Sequence, residues 1–294
     1  MRLGFAIPTF AGSIATPLDA AARAAAAGAD AVFAVDHLFP PGRPDRPSFE
    51  PFSLLGSVAA TEPTLGVGVL VARVGMRPVG LLAKQAGSLH AMTGGRTILG
   101  LGMGDALVRP EHESFGIAFG TAPERSAVAV STALALRAVF AGRAWPGDEH
   151  VPAVAGPLAP PGGPAVWIGG TTDRMVDVAA RAADGWNGWG LDADAFEDRA
   201  GRLRTKAAEV GRDPAELEIT WGGIVLVGRD RDELARLDTE RAARGVAWDP
   251  WRGTVDDLRV FAAQLAGAGA SWMVCMPAGP EDRTELIART LRGA

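Results

Sequence analysis

Asp36 and His37 stand directly after an apolar run, Ala31-Val32-Phe33-Ala34-Val35. An unbroken run of this kind suits a strand buried on both faces, as in a parallel sheet. The polar pair then lies just past the strand's carboxyl end, the edge at which parallel α/β folds do their chemistry. An imidazole there can serve as general acid or base, because its ordinary pKa lies near neutrality. Asp36 can orient it or bind a polar ligand edge; the competing explanation is a surface pair that caps a helix. The chain has four histidines and no tyrosine. Proton transfer is thereby left to histidine, carboxylates, lysine and the single thiol, Cys275.

Other candidates stand at the ends of other predicted strands. Asp105 follows Gly102-Met103-Gly104. The glycines from Gly100 to Gly104 do not have the spacing of a dinucleotide fingerprint. They suit either a flat ring lying against the backbone or close packing of the strands themselves. Gly169-Gly170-Thr171-Thr172 runs straight into a predicted helix, whose first N–H groups and dipole suit a phosphate. An ordinary N-cap by Thr172 would give the same residues. Trp186, Asn187, Trp189 and Trp221 lie at or near strand ends and are candidates for the wall of a substrate pocket, with core packing as the alternative for the tryptophans. Glu111-His112-Glu113 resembles a metal-ligand cluster, but adjacent residues rarely converge on one ion, and no metal is expected. No serine-hydrolase elbow, P-loop or His-Glu-x-x-His helix is present.

The elements that must position these residues alternate along the chain. Strands are predicted at 3–7, 31–36, 65–71, 97–103, 165–168, 185–189, 217–227 and 271–276. Helices are predicted at 17–27 (capped by Thr16), 52–60, 79–92, 124–140, 174–183, 193–210, 231–243, 255–266 (capped by Thr254) and 282–291. Residues 143–164, rich in proline and glycine, form an irregular insertion. Eight strands alternating with helices favour a closed TIM (β/α)8 barrel, an α/β fold, spanning 1–294 as a single domain.

Composition agrees with this. At 294 residues, with 48% hydrophobic and 21% charged, the chain can bury a large core. A net charge of -5 with both signs scattered implies neither nucleic acid nor membrane as a partner. One cysteine excludes an internal disulfide. Met1 to Phe5 enters a strand with no apolar signal core, and a cytoplasmic location is expected.

Several segments, in order, resemble the bacterial luciferase-like flavin and deazaflavin oxidoreductases over nearly the whole chain. They are residues 31–38 ending Asp-His-Leu, Glu50-Pro51-Phe52-Ser53-Leu54-Leu55, and 65–71. Leu82-Ala83-Lys84-Gln85-Ala86, Gly94-Gly95-Arg96 and Leu99-Gly100-Leu101-Gly102 follow, then Val166-Trp167-Ile168-Gly169-Gly170 and Ala183-Asp184-Gly185-Trp186. The Asp36-His37 pair and Gly104-Asp105-Ala106-Leu107 look like the branch that uses deazaflavin coenzyme F420. The resemblance implies a ring in the barrel mouth over the ends of the second, third and fourth strands. It implies His37 as the proton donor or acceptor, assisted by Asp36 or Asp105, and Asp36, Gly104 and Asp105 beside the cofactor. It also implies a non-proline cis peptide at Gly68-Val69, bulging behind the ring, and a phosphodiester tail at Gly169–Thr172. No set of basic residues matches a sugar-phosphate pocket, and the expected substrate is another small organic molecule.

The expected activity is hydride transfer between F420 and that substrate. One alternative is an FMNH2-dependent monooxygenase of the same superfamily, with FMN in place of F420. Another is a flavin-binding barrel without turnover, and a third, a metal-dependent barrel enzyme. The apolar faces of helices 52–60 and 79–92 and the resemblance together suggest a homodimer.

Overall fold

The computed structural model describes residues 1–156, 161–245, 248–280 and 283–293. Its strands are β1 (Arg2–Ala6), β2 (Ala31–Ala34), β3 (Gly66–Arg73), β4 (Thr97–Gly102), β5 (Ala165–Gly169), β6 (Gly185–Trp189), β7 (Glu218–Gly228), β8 (Trp251–Thr254) and β9 (Trp272–Pro277). The helices are α1 (Ala15–Ala26), α2 (Pro51–Thr61), α3 (Val79–Met92), α4 (Arg109–Ser114), α5 (Ala122–Phe140), α6 (Asp173–Ala182), α7 (Ala193–Glu209), α8 (Arg231–Ala243), α9 (Val255–Gly267) and α10 (Arg283–Arg292). All strand pairings among them are parallel. The sheet runs β6-β5-β4-β3-β2-β1-β9-β7, and β6 pairs back onto β7 to close an eight-stranded barrel.

Two features were not expected from the sequence. β8 lies outside the barrel, pairing Trp251–Thr254 with the far half of β7, Val225–Gly228. The expected eighth barrel strand is therefore β9. The short helix α4 follows a 3-10 turn, Ala106–Val108, in a stretch expected to be loop. The first helix starts at Ala15 after Ile14, which offers no side-chain cap, so Thr16 does not cap it. Thr254 does cap α9, in a reciprocal pair with Asp257. Within the irregular insertion, Trp145 and Val154 form an antiparallel bridge. Residues 157–160 of that insertion and Asp282 of the last predicted helix lie outside the described residues.

Alternation of side chains along each strand separates two layers. Facing outward against the helices are Val32, Ala34, Val67, Val69, Leu99, Leu101, Val166, Ile168, Trp186, Trp221, Met273 and Cys275. Facing inward are Ala31, Phe33, Leu70, Trp167, Trp272 and Val274, with Val71, Ile98 and Trp189 packed against them. Phe33 and Trp167 stack at 6.1 Å between ring centroids, and Trp272 meets both edge-on. These rings fill the barrel because the opposing positions are glycine. A Cβ on either Gly4 or Gly68 would come within 2.6 Å of the Phe33 ring.

The cis peptide expected at Gly68-Val69 lies instead between Leu70 and Val71. Gly68 and Val69 stay in regular register with β2 and β4, and the register shift against β4 falls between Val69 and Ala72. Leu70 and Val71 both join the interior cluster, whereas Val69 and Ala72 both face the helices. Among the described residues no helix is long and apolar enough to cross a membrane.

Candidate active site

β2 ends at Ala34, and the chain leaves it with the Val35 N–H donating to Thr9 Oγ1 at 3.3 Å. Asp36 is then buried and His37 half-buried. The His37 ring meets Phe10 edge-on at 5.7 Å, and its carbonyl accepts from Ser48 Oγ at 2.7 Å. The partner of its side chain is Glu111, on α4. Glu111 Oε1 stands 2.7 Å from His37 Nδ1, and Glu111 Oε2 accepts from the Leu38 N–H at 2.8 Å and from Arg73 Nη2 at 2.5 Å.

Glu111 has a fully buried side chain, which by itself would raise its pKa. The hydrogen bond and charge of His37, the Leu38 N–H and the Arg73 guanidinium outweigh burial and hold it below the ordinary carboxylate value. An ionised carboxylate can only accept, so Nδ1 of His37 carries a hydrogen and donates. Nε2 is then the position at which the ring gains or gives up a proton, and no described residue pairs with it. His37 retains 24% of its side-chain exposure, so this nitrogen sits on a ring that solvent or ligand can reach.

Asp36 is committed elsewhere. Its carboxylate takes a bidentate pair from Arg77, at 2.6 and 3.0 Å, and accepts the Arg73 backbone N–H at 3.3 Å. Burial lowers the Arg77 pKa, but Asp36 and Glu50 more than offset this and raise it. Both Asp36 oxygens thus help hold β3 and Arg77 against the β2 end. In this structure Asp36 is placed as a link between the β2 end and β3.

Asp105 is not brought against His37 by a contact in this structure. It is exposed and caps the 3-10 turn, accepting from the Leu107 N–H at 2.8 Å. The acid beside His37 is Glu111, six positions further on, which sequence reasoning had set aside with its neighbours as an unconvincing metal cluster. Among the described residues no group of three or more histidine, cysteine or acidic side chains could hold a metal. Gly104, with φ of +68°, makes the turn that sends the chain toward α4. Arg125 of α5 fastens that turn, donating to the carbonyls of Met103 at 2.9 Å and Gly104 at 3.3 Å.

Gly68 and Val69 do not reach the mouth: the first lies under the Phe33 ring and the second is buried against the helices. Trp186 and Trp221 are both fully buried and face outward, stacked on Phe196 of α7 and edge-on to Phe261 of α9. Their indole N–H groups donate to the carbonyls of Gly170 and Leu191, at 2.8 Å each. They are core residues, not pocket walls. Asn187 faces inward but is buried, donating to Thr220 Oγ1 at 2.9 Å. Trp189 faces inward and remains half-buried, its ring lying where a Cβ on Gly222 would come within 2.7 Å.

Trp189, Val35, Val71 and Met276 are partly exposed apolar residues toward the carboxyl ends of β6, β2, β3 and β9. Apolar residues left partly exposed on the strand-end edge that also carries His37 would suit a flat ring. At the end of β5, Gly170 has φ of +139° and Thr172 caps α6, accepting from the Met175 N–H at 3.4 Å. Asp173 adds a negative charge in the first turn of α6, but pairs with Arg199 and Arg202. Gly169, Gly170, Thr171 and Thr172 thus remain suited to a phosphate.

Comparison with known proteins agrees with this architecture. A ketoreductase of phthiodiolone and phenolphthiodiolone dimycocerosates from Mycobacterium kansasii is 29% identical over 214 residues, covering 69% of this chain and 58% of that protein. The chain spans little more than half the length of such relatives. An F420-dependent secondary alcohol dehydrogenase, solved with an F420-acetone adduct, superposes with a TM-score of 0.84 at 14% identity, covering 99% of this chain and 98% of that one. A riboflavin lyase, solved with a modified FMN, gives a TM-score of 0.81 at 14% identity over 100% of this chain and 91% of that one. The luciferase-like monooxygenase profile matches residues 1–290, and the chain belongs to that family of oxidoreductases and monooxygenases.

Proposed function

We propose that this chain is an F420-dependent oxidoreductase that interconverts a secondary alcohol and a ketone. The observation that carries the proposal is the His37–Glu111 pair at the barrel mouth. Oxidising an alcohol to a ketone removes a hydride from carbon and a proton from oxygen, and the proton needs a base. When bound, F420 supplies the hydride acceptor, or the donor in the reverse direction. His37 Nε2 takes the hydroxyl proton on oxidation and returns it on reduction. Glu111 fixes the tautomer that leaves Nε2 free and stabilises the imidazolium that forms. Gly169, Gly170, Thr171 and Thr172 would hold the cofactor's phosphodiester, and Trp189, Val35, Val71 and Met276 would help exclude water from the mouth.

Ketone and alcohol chemistry is the common feature in the names of the ketoreductase relative and the alcohol dehydrogenase neighbour. It supports this substrate class for the present chain. The test is an anaerobic assay of F420 absorbance with a panel of secondary alcohols, and of reduced F420 with the matching ketones. Turnover that disappears in His37→Ala supports the proposal. Turnover only with reduced FMN and oxygen would replace it with a monooxygenase.

A further inference from the structure

The geometry points to Arg73 as a positioning residue that shares Glu111 with His37 and so sets how tightly the pair holds its proton. Arg73 ends β3 and is 4% exposed. Its Nε donates to the Asp36 carbonyl at 3.2 Å, its Nη2 to Glu111 at 2.5 Å, and its backbone N–H to Asp36 Oδ2 at 3.3 Å. One guanidinium therefore clamps the end of β2 to α4. Its Nη1 is buried with no partner among the described residues, a cost that hydrogen bonding alone does not justify.

Charge explains it. A buried carboxylate facing only an imidazole favours the imidazolium and raises the histidine's pKa. An imidazole locked in that form is a poor base near neutral pH. Arg73 cannot be deprotonated, so it places a fixed positive charge on the other oxygen of Glu111 and opposes that pull. The other groups around Glu111 leave this balance in place. The Asp36 charge is matched by Arg77, and the Leu38 N–H is neutral. His112, next on α4, is held toward its neutral form by burial and by Arg73. Arg125 of α5 lies beyond His112 and bonds backbone carbonyls.

The test reads the His37 imidazole by NMR titration in the protein without added ligand, followed by the pH profile of kcat/KM with F420. Arg73→Gln keeps a donor toward Glu111 and removes the charge; it should raise the His37 midpoint by about one unit. Arg73→Lys keeps the charge without the fork; the midpoint should stay within about 0.3 unit, with kcat lowered roughly tenfold. Glu111→Gln should lower the midpoint by about one unit or more, and Arg73→Met combined with Glu111→Gln should bring it back to within about half a unit of wild type. The double variant keeps the claim testable should Arg73→Gln not fold. A folded Arg73→Gln whose midpoint does not rise, or a double variant as low as Glu111→Gln alone, would overturn the inference. Only the kinetic half rests on the proposed function. The NMR shifts without any F420 turnover in the wild type would uphold Arg73's role and sink the F420 assignment.

Discussion

Glu111 Oε1 lies 2.7 Å from His37 Nδ1, although 74 positions separate the two residues. The contact makes Nδ1 the protonated nitrogen and leaves Nε2 without a partner among the described residues. It also joins the β2 end to a short helix that follows the turn capped by Asp105 and held by Arg125.

His37→Ala removes the proposed proton acceptor and leaves the partly exposed apolar residues and the start of α6 in place. The expected outcome is a fall in kcat of about 10²- to 10⁴-fold with cofactor affinity little changed. Steady-state kinetics and a binding titration on the same preparation check this.

Glu111→Gln keeps the shape but replaces two accepting oxygens with one. Glutamine cannot accept from His37, Leu38 and Arg73 together, and an amide N–H turned toward His37 would force the other tautomer. A loss of about hundredfold in kcat is expected. The buried Arg73 charge loses its partner as well, so urea unfolding should show a stability loss of about 3 kcal/mol.

Asp105→Ala separates the two acids. It removes an exposed cap, costing about 1 kcal/mol, and should leave kcat/KM close to wild type. A fall matching that of Glu111→Gln would return Asp105 to the chemistry.

Trp186→Ala and Trp221→Ala should each cost about 3–5 kcal/mol in stability, because both rings fill the layer between barrel and helices. KM in the folded fraction should not move. Trp189→Ala should do the opposite, altering KM with a smaller stability loss.

Stability should fall in two stages as the solution is acidified. Burial lowers the pKa of His90, and burial together with Arg73 lowers that of His112. The unfolded chain therefore takes up protons that the folded chain resists. This contribution is complete above the ordinary histidine value of 6.5 and is lost as pH falls below it. Glu111, held below its ordinary value of 4.5, adds stability that is present above that value and lost at lower pH. Denaturant melts at pH 7.5, 5.5 and 4 check the sequence of losses, and His112→Gln should flatten the first.

The barrel and the place of His37 were legible because strand ends announce themselves as apolar runs closed by polar residues. Glu111 was not, since its partners are long-range and its neighbours Glu113 and Ser114 are exposed. Read alone, the stretch looks like an acidic surface loop. The tryptophans misled for a different reason. In β6 a shift of one residue exchanges the interior for the helix layer, and the sequence Gly-Trp-Asn-Gly-Trp does not fix that phase. Trp189 and Trp186, three apart, consequently face opposite layers. β8 escaped notice because four residues containing an exposed arginine carry little strand signal; it forms because β7 runs on past the barrel and offers a free edge.

The central claim is the proposal that F420 binds at the barrel mouth. Fluorescence titration of the purified protein with F420, with FMN in parallel, tests it most directly. The account predicts saturable F420 binding at micromolar concentration or tighter, weakened by substitution of Thr171 and Thr172. Preferential binding of FMN, or of neither, would contradict it.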